Sequence, residues 1–188
     1  MHKYQIHKVD KMTKKKVFIV IDMQNDFITG PLGNDEGRSI VEDLKKEIEK
    51  KKSEGYEILF TLDTHDAEYL KSQEGRYLPV EHCIEGTDGW QIIPELRTFA
   101  DSKNILLKKS FGNSDIGKWV EEAAGGEPEE IVLTGVCTDI CVISNAMILK
   151  AFFPETPIKV MGKLCAGVTP ESHDNALKAM EPCQIEVI

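Results

Sequence analysis

Two thiols stand four residues apart in TGVCTDICV, where Cys137 follows an apolar run and Cys141 falls in the first turn of a helical pattern. A thiol near a helix N-terminus feels the positive end of the backbone dipole, and the free N–H groups there can receive a developing oxyanion, a setting that suits a nucleophile. Two small buried residues would read the same way, since burial is the commonest fate of a free cysteine. Cys-x3-Cys is a permitted zinc spacing, but no second Cys/Cys or Cys/His pair of structural type accompanies it. A complete disulfide framework is excluded, because five cysteines is an odd count, and reduced thiols fit a cytoplasmic protein.

Other apolar runs end in complementary groups. Asp22 follows VFIVI, and Lys108 and Lys109 follow NILL. Alone, the aspartate would cap a turn and the lysines would be solvated. In one site, a lysine can hold a carboxylate and favour a nearby thiolate. The segment LDTHDAEYLKSQEGRYLPVEHC adds Asp63, His65 and His82, with Glu68, Glu74 and Glu81 nearby. Asp-x-His in extended chain puts both side chains on one face. A carboxylate with two imidazoles suits zinc, iron or manganese with positions left open. His2, His7 and His173 read as ordinary polar residues, His173 as one that helps fix a helix end.

The elements that must position these groups alternate short Val/Ile-rich runs with longer amphipathic ones. Strands are predicted at Val17–Ile21, Glu57–Leu62, Asn104–Leu107, Glu130–Thr134, Ile158–Met161 and Gln184–Val187, and helices at Arg38–Ser53, Ile116–Ala124, Asp139–Phe152 and Pro170–Met180. Thr169 offers a cap and Pro170 a first helical position. The pattern predicts a three-layer α/β/α fold with a mainly parallel, six-stranded, doubly wound (Rossmann-like) sheet. Ligands bind such sheets at the strand carboxyl ends, so IDMQ, LDTH, LKKSFG and TGVCTD nominate one shared site. The stretch Asp63–Leu96 carries few helix or strand signals, and a loop of that length in a compact domain is usually functional.

At 188 residues the chain suits one domain, placed at 15–188 behind a basic tail at 1–14, with Met12 an internal start candidate. A net charge of -9 argues against nucleic-acid binding, which needs clustered cations. No run approaches the ~18 apolar residues of a membrane helix, so no membrane partner is expected.

The ordered set IDMQNDF, LDTHD, LPVEHCIEGTDGW, LKKSFGNS, TGVCTDICV and AGVTPESH resembles the isochorismatase-like cysteine hydrolases, and within them the nicotinamidases. The resemblance runs from the first strand to the last helix. It implies an Asp-Lys-Cys triad on Asp22, Lys108 and Cys141, Lys108 being preferred to Lys109 because it lies three residues before Phe111-Gly112. It also implies a cis peptide bond before Cys137 and an oxyanion hole made by the N–H groups of Cys137 and Cys141. Asp63, His65 and His82 match the family's metal ligands, with Glu74 as the fourth. The cofactor expected is one divalent ion, zinc first, with iron or manganese as alternatives. Phe27 is matched as a ring that stacks on a flat small-molecule amide substrate. The implied reaction is amide hydrolysis through a Cys thioester, with nicotinamide as substrate or, alternatively, another small amide or carbamoyl compound. A homo-oligomer is common in the family. One departure stands out: Leu78-Pro79-Val80-Glu81-His82 carries leucine where the family's nicotinamidases carry an aromatic, and Tyr77 and Trp90 are the candidate replacements.

Overall fold

The computed structural model describes residues 14–188, so the expected tail lies outside the described residues except for Lys14. Six parallel strands, β1 (Lys16–Ile21), β2 (Glu57–Asp63), β3 (Ile105–Lys108), β4 (Glu130–Val136), β5 (Ile158–Ala166) and β6 (Ile185–Val187), form one sheet in the order β3-β2-β1-β4-β5-β6. Seven α-helices occur among the described residues: α1 (Asn25–Ile28), α2 (Asp35–Ser39), α3 (Val41–Ser53), α4 (Gln73–Tyr77), α5 (Ile116–Ala124), α6 (Ile143–Phe152) and α7 (Pro170–Met180). This is the doubly wound order, in which the chain reverses direction across the sheet between β1 and β4 and opens a crevice at their carboxyl ends.

Both faces of the sheet are covered, which is why its strands read as continuous apolar runs. In β1, Val17, Ile19 and Ile21 enter the core beneath α5 and α6 with Val120 and Leu149. Phe18 and Val20 point the other way, into the core beneath α3 with Leu44 and Ile48. Each fully buried aliphatic side chain contributes about 1.5–3 kcal/mol, so this two-sided burial fixes the strand faces and register. At the end of β4, Gly135 has φ 109°, and a Cβ there would meet the Ile21 carbonyl oxygen at 2.1 Å. Only glycine lets β4 approach β1 so closely just before both strands deliver their site residues.

Local chemistry sets the boundaries, and some differ from expectation. Thr169 caps α7 in a reciprocal box with Ser172, with Pro170 at its start. The helix expected at Arg38–Ser53 is two helices meeting at Ile40, because Asn34 caps an earlier turn by accepting the Gly37 N–H at 2.7 Å. β5 runs beyond Met161 to Ala166, since Leu164, Cys165 and Ala166 are buried and the last two pair with Gly135 and Val136. The helix expected at Asp139–Phe152 opens with a wide π turn, Thr138–Val142, before α6. The stretch Asp63–Leu96 is a packed excursion: it contains a 3₁₀ turn at Tyr69–Lys71 and α4, bridges His65 to Ile84, and buries Tyr69, Cys83, Ile92, Ile93 and Leu96.

Candidate active site

β1 ends by turning Asp22 into the left-handed region, φ 49°, a conformation aspartate tolerates better than most residues. Its N–H donates to the Thr61 carbonyl at 3.2 Å, and the Thr61 hydroxyl donates to Asp22 Oδ1 at 2.7 Å. Asp22 Oδ2 faces the Lys108 ammonium at 2.7 Å and has no other polar partner among the described residues. Lys108 Nζ also reaches Asp63 Oδ1 at 2.9 Å, the Ser110 carbonyl at 3.2 Å and Cys141 Sγ at 3.4 Å. Lys108 is fully buried whereas Lys109 is exposed. The peptide bond between Val136 and Cys137 is cis, and Cys141 lies in the π turn that follows.

The charges decide how this group rests. Burial raises the Asp22 carboxyl above the usual carboxylate range, with Lys108 opposing and Asp63 reinforcing. Burial alone would depress Lys108, but Asp22, Cys141 and Asp63 more than offset it and hold the ammonium charged. The Cys141 thiol is pushed up by burial and by the Asp22 charge, with Lys108 opposing. The helix N-terminus and Lys108 favour the thiolate at Cys141, whereas burial and the Asp22 and Asp63 charges favour the thiol.

Beside these groups four donors converge. Asp63 Oδ2 lies 3.0 Å from His65 Nε2 and 3.5 Å from His82 Nε2, and Glu74 Oε1 lies 3.7 Å from each imidazole nitrogen. Ligand atoms of all four residues fall within 4.8 Å of one another. A tetrahedral zinc with bonds of about 2.0–2.1 Å would separate its ligands by about 3.3 Å, so the spacing fits. The charge fits as well. Asp22, Asp63 and Glu74 outnumber Lys108, leaving an excess that a divalent cation would neutralise. Supporting contacts orient the donors: His82 Nδ1 donates to the Val80 carbonyl at 2.9 Å, which turns Nε2 inward, and the buried Tyr69 ring packs 4.7 Å from His65 and 4.9 Å from His82.

Both groups border a cavity of about 370 Å³ whose walls include Phe27, Leu78, His82, Phe111, Cys137 and Cys141. Phe27 also meets the His82 ring edge-on at 5.5 Å. A wider outer groove of about 670 Å³ adjoins it and shares Glu74, Leu78, Phe111 and Ile140. Of the two candidate ring replacements, Tyr77 lines the groove, 85% exposed, and Trp90 donates from its ring nitrogen to Thr64 Oγ1 at 2.9 Å; neither lines the inner cavity.

Several contributing residues lay outside the sequence reading. Thr61 orients Asp22. Gln24 clamps Asp63, accepting its N–H at 2.8 Å and donating to its carbonyl at 2.9 Å. Asn145 bonds the carbonyls of Phe111 and Cys141. The signal in each case is a polar residue inside an apolar or tightly packed stretch, LFTLD, IDMQND and VISNAMIL. His173, expected to help fix a helix end, lies in the first turn of α7 and ties it to the start of the π turn, with Nδ1 2.8 Å from Thr138 Oγ1.

The strand order and the groups at the switch point define a doubly wound α/β protein with a lysine-bridged aspartate and thiol beside a His/carboxylate cluster. The chain belongs to the isochorismatase domain family, whose profile matches residues 16–188. It is 30% identical over 175 residues to PncA, an uncharacterized isochorismatase family protein of Bacillus subtilis, covering 87% of this chain and 92% of that one. The structure of a pyrazinamidase/nicotinamidase from Streptococcus mutans superposes with a TM-score of 0.80 at 26% identity, covering 93% of this chain and 100% of the other. An N-carbamoylsarcosine amidase from Thermoplasma acidophilum superposes with a TM-score of 0.70 at 26% identity, covering 92% and 95%.

Proposed function

We propose that this chain is a metal-containing cysteine amidohydrolase that converts nicotinamide and water to nicotinate and ammonia. The observation that carries this reading is the buried Lys108 ammonium, held between Asp22, Asp63 and Cys141, with Cys141 lining the cavity and Asp63 shared with the four-donor cluster. The relationship to a pyrazinamidase/nicotinamidase supports the substrate class, and the apolar Phe27, Leu78 and Phe111 suit a flat aromatic body.

In the reaction Asp22 accepts the Cys141 thiol proton while Lys108 stabilises the charge that moves between them. The sulfur attacks the amide carbonyl carbon. The N–H groups of Cys137 and Cys141 receive the negative charge developing on the carbonyl oxygen. Asp22 returns the proton to the departing nitrogen, the C–N bond breaks, ammonia leaves and a thioester remains. Water then adds to the thioester carbonyl and gives its proton to Asp22. The C–S bond breaks, the acid product departs, and the proton passes from Asp22 back to sulfur. Asp63, His65, Glu74 and His82 would hold the divalent ion, zinc by the character of the donors, which when bound supplies a Lewis-acid contact for the substrate's ring nitrogen.

A second reading, hydrolysis of a carbamoyl compound, draws support from the likeness to the N-carbamoylsarcosine amidase and from the outer groove, where Lys109 could receive a carboxylate. Ammonia release from nicotinamide, pyrazinamide and a carbamoyl amino acid, with metal analysis of the same sample, separates the two. Turnover of the carbamoyl compound without turnover of nicotinamide would replace the first reading. Five unpaired cysteines support a cytoplasmic location, and no described helix is long and apolar enough to cross a membrane.

A further inference from the structure

Asn145 is fully buried in α6, in the apolar stretch VISNAMIL. A buried amide is costly unless its hydrogen bonds are made, and a small apolar residue would serve helix packing as well. Its bonds therefore indicate its purpose. Nδ2 donates to the Phe111 carbonyl at 3.0 Å and to the Cys141 carbonyl at 2.8 Å, and Oδ1 accepts the Asn113 N–H at 3.1 Å.

One side chain thus joins the turn carrying Cys141 to the loop that follows Lys108. That loop is tied down at both ends. Lys108 Nζ donates to the Ser110 carbonyl at 3.2 Å, and Asn113 Nδ2 donates to the Leu107 carbonyl at 3.1 Å. Between them Gly112 lies so close to α6 that a Cβ would meet Ile148 Cδ1 at 2.6 Å. The loop has little freedom of its own, and Lys108 is held by its register with Asp63 and by its contacts to Asp22 and Asp63, so Asn145, by tying the loop to the Cys141 turn, decides where Cys141 stands relative to Lys108.

We propose that Asn145 is a positioning residue that fixes the Lys108–Cys141 separation by clamping the 109–113 loop to the nucleophile's turn, and that it thereby sets Phe111 as a wall of the cavity. The inference rests on Asp22, Lys108 and Cys141 being the reacting groups, and not on the identity of the amide.

Two variants of the full chain test it. Asn145→Asp keeps the size and the acceptor for Asn113 but turns an oxygen toward two carbonyls. Asn145→Ser keeps a hydroxyl able to bond the carbonyl four residues back, yet is too short to hold the loop. For each, thermal unfolding, kcat and KM on nicotinamide, and the pH profile of Cys141 alkylation by iodoacetamide are measured, with exposed Cys183 as internal control. The expected result is a Cys141 profile moved to higher pH with Cys183 unchanged, and a kcat loss on the order of tenfold to a hundredfold, the scale of a small misplacement of reacting groups. A wild-type Cys141 profile and kcat in a folded Asn145→Ser protein overturns the clamp, whether or not the Asp variant folds. Because alkylation needs no substrate, an inactive wild type on nicotinamide defeats the substrate reading without touching this one.

Discussion

Asp63 and Lys108 are register partners at the carboxyl ends of β2 and β3, and Lys108 Nζ stands 2.9 Å from Asp63 Oδ1. The other oxygen of the same carboxylate, Oδ2, faces His65 and His82. Asp63 therefore belongs to both halves of the site. Replacing it with Asn is expected to weaken metal binding and lower kcat together, whereas His82→Ala should lower bound metal, by tenfold or more in affinity on the order of known ligand-shell losses, while Cys141 alkylation persists. Metal titration and alkylation of both variants check this. Equal metal content in His82→Ala and wild type would remove His82 from the donor set.

The paired thiols are expected to separate sharply. Cys141→Ala should lose more than about 10³-fold in kcat, the scale for removing a covalent nucleophile, with metal content unchanged. Cys137→Ala should lose less than about tenfold, since only its backbone N–H is assigned a role at the oxyanion. Its own thiol is pushed up to about 12 by burial and the Asp139 charge. Full activity in Cys141→Ala would end the thioester mechanism.

Thr61→Val removes the hydroxyl that donates to Asp22 Oδ1 at 2.7 Å without changing side-chain size much. Leaving that buried acceptor unpaired should cost about 1–3 kcal/mol of stability. It also frees the carboxylate to turn, so kcat should fall more than KM changes. Steady-state kinetics beside denaturant unfolding give both numbers, and a variant losing stability with kcat intact would leave Thr61 a purely structural residue.

Acid should switch the reaction off earlier than an ordinary aspartate would. Asp22 works as a base only when unprotonated, and burial raises its carboxyl above the ordinary 3.8. The acid limb of kcat/KM must then lie above 3.8. Because Lys108 opposes that rise, Lys108→Met should move the limb of its residual activity, or the pH dependence of Cys141 alkylation, further up. A wild-type limb at or below 3.8 would contradict the assignment of Asp22 as base.

Much of the architecture was legible because period and burial are local properties. The unbroken run VFIVI announces a strand covered on both faces, Thr169-Pro170 announces a helix start, and the polar residues closing four such runs announce strand ends facing one crevice. Less legible were the elements held by long-range partners: the π turn at Thr138–Val142, the extension of β5 along β4, and the packed excursion between Asp63 and Leu96.

Within the site the division is the same. The sequence by itself determined which residue types were present and that the chain could bring strand ends together. The tertiary structure decided that Lys108 and not Lys109 faces inward, because the register opposite Asp63 puts alternate residues on opposite faces. It decided that Glu74 meets His65 and His82, and that Thr61, Gln24 and Asn145 bond Asp22, Asp63 and the carbonyls of Phe111 and Cys141. Each of these depends on residues far apart in sequence meeting at ångström distances, which strand order and packing specify and local pattern does not.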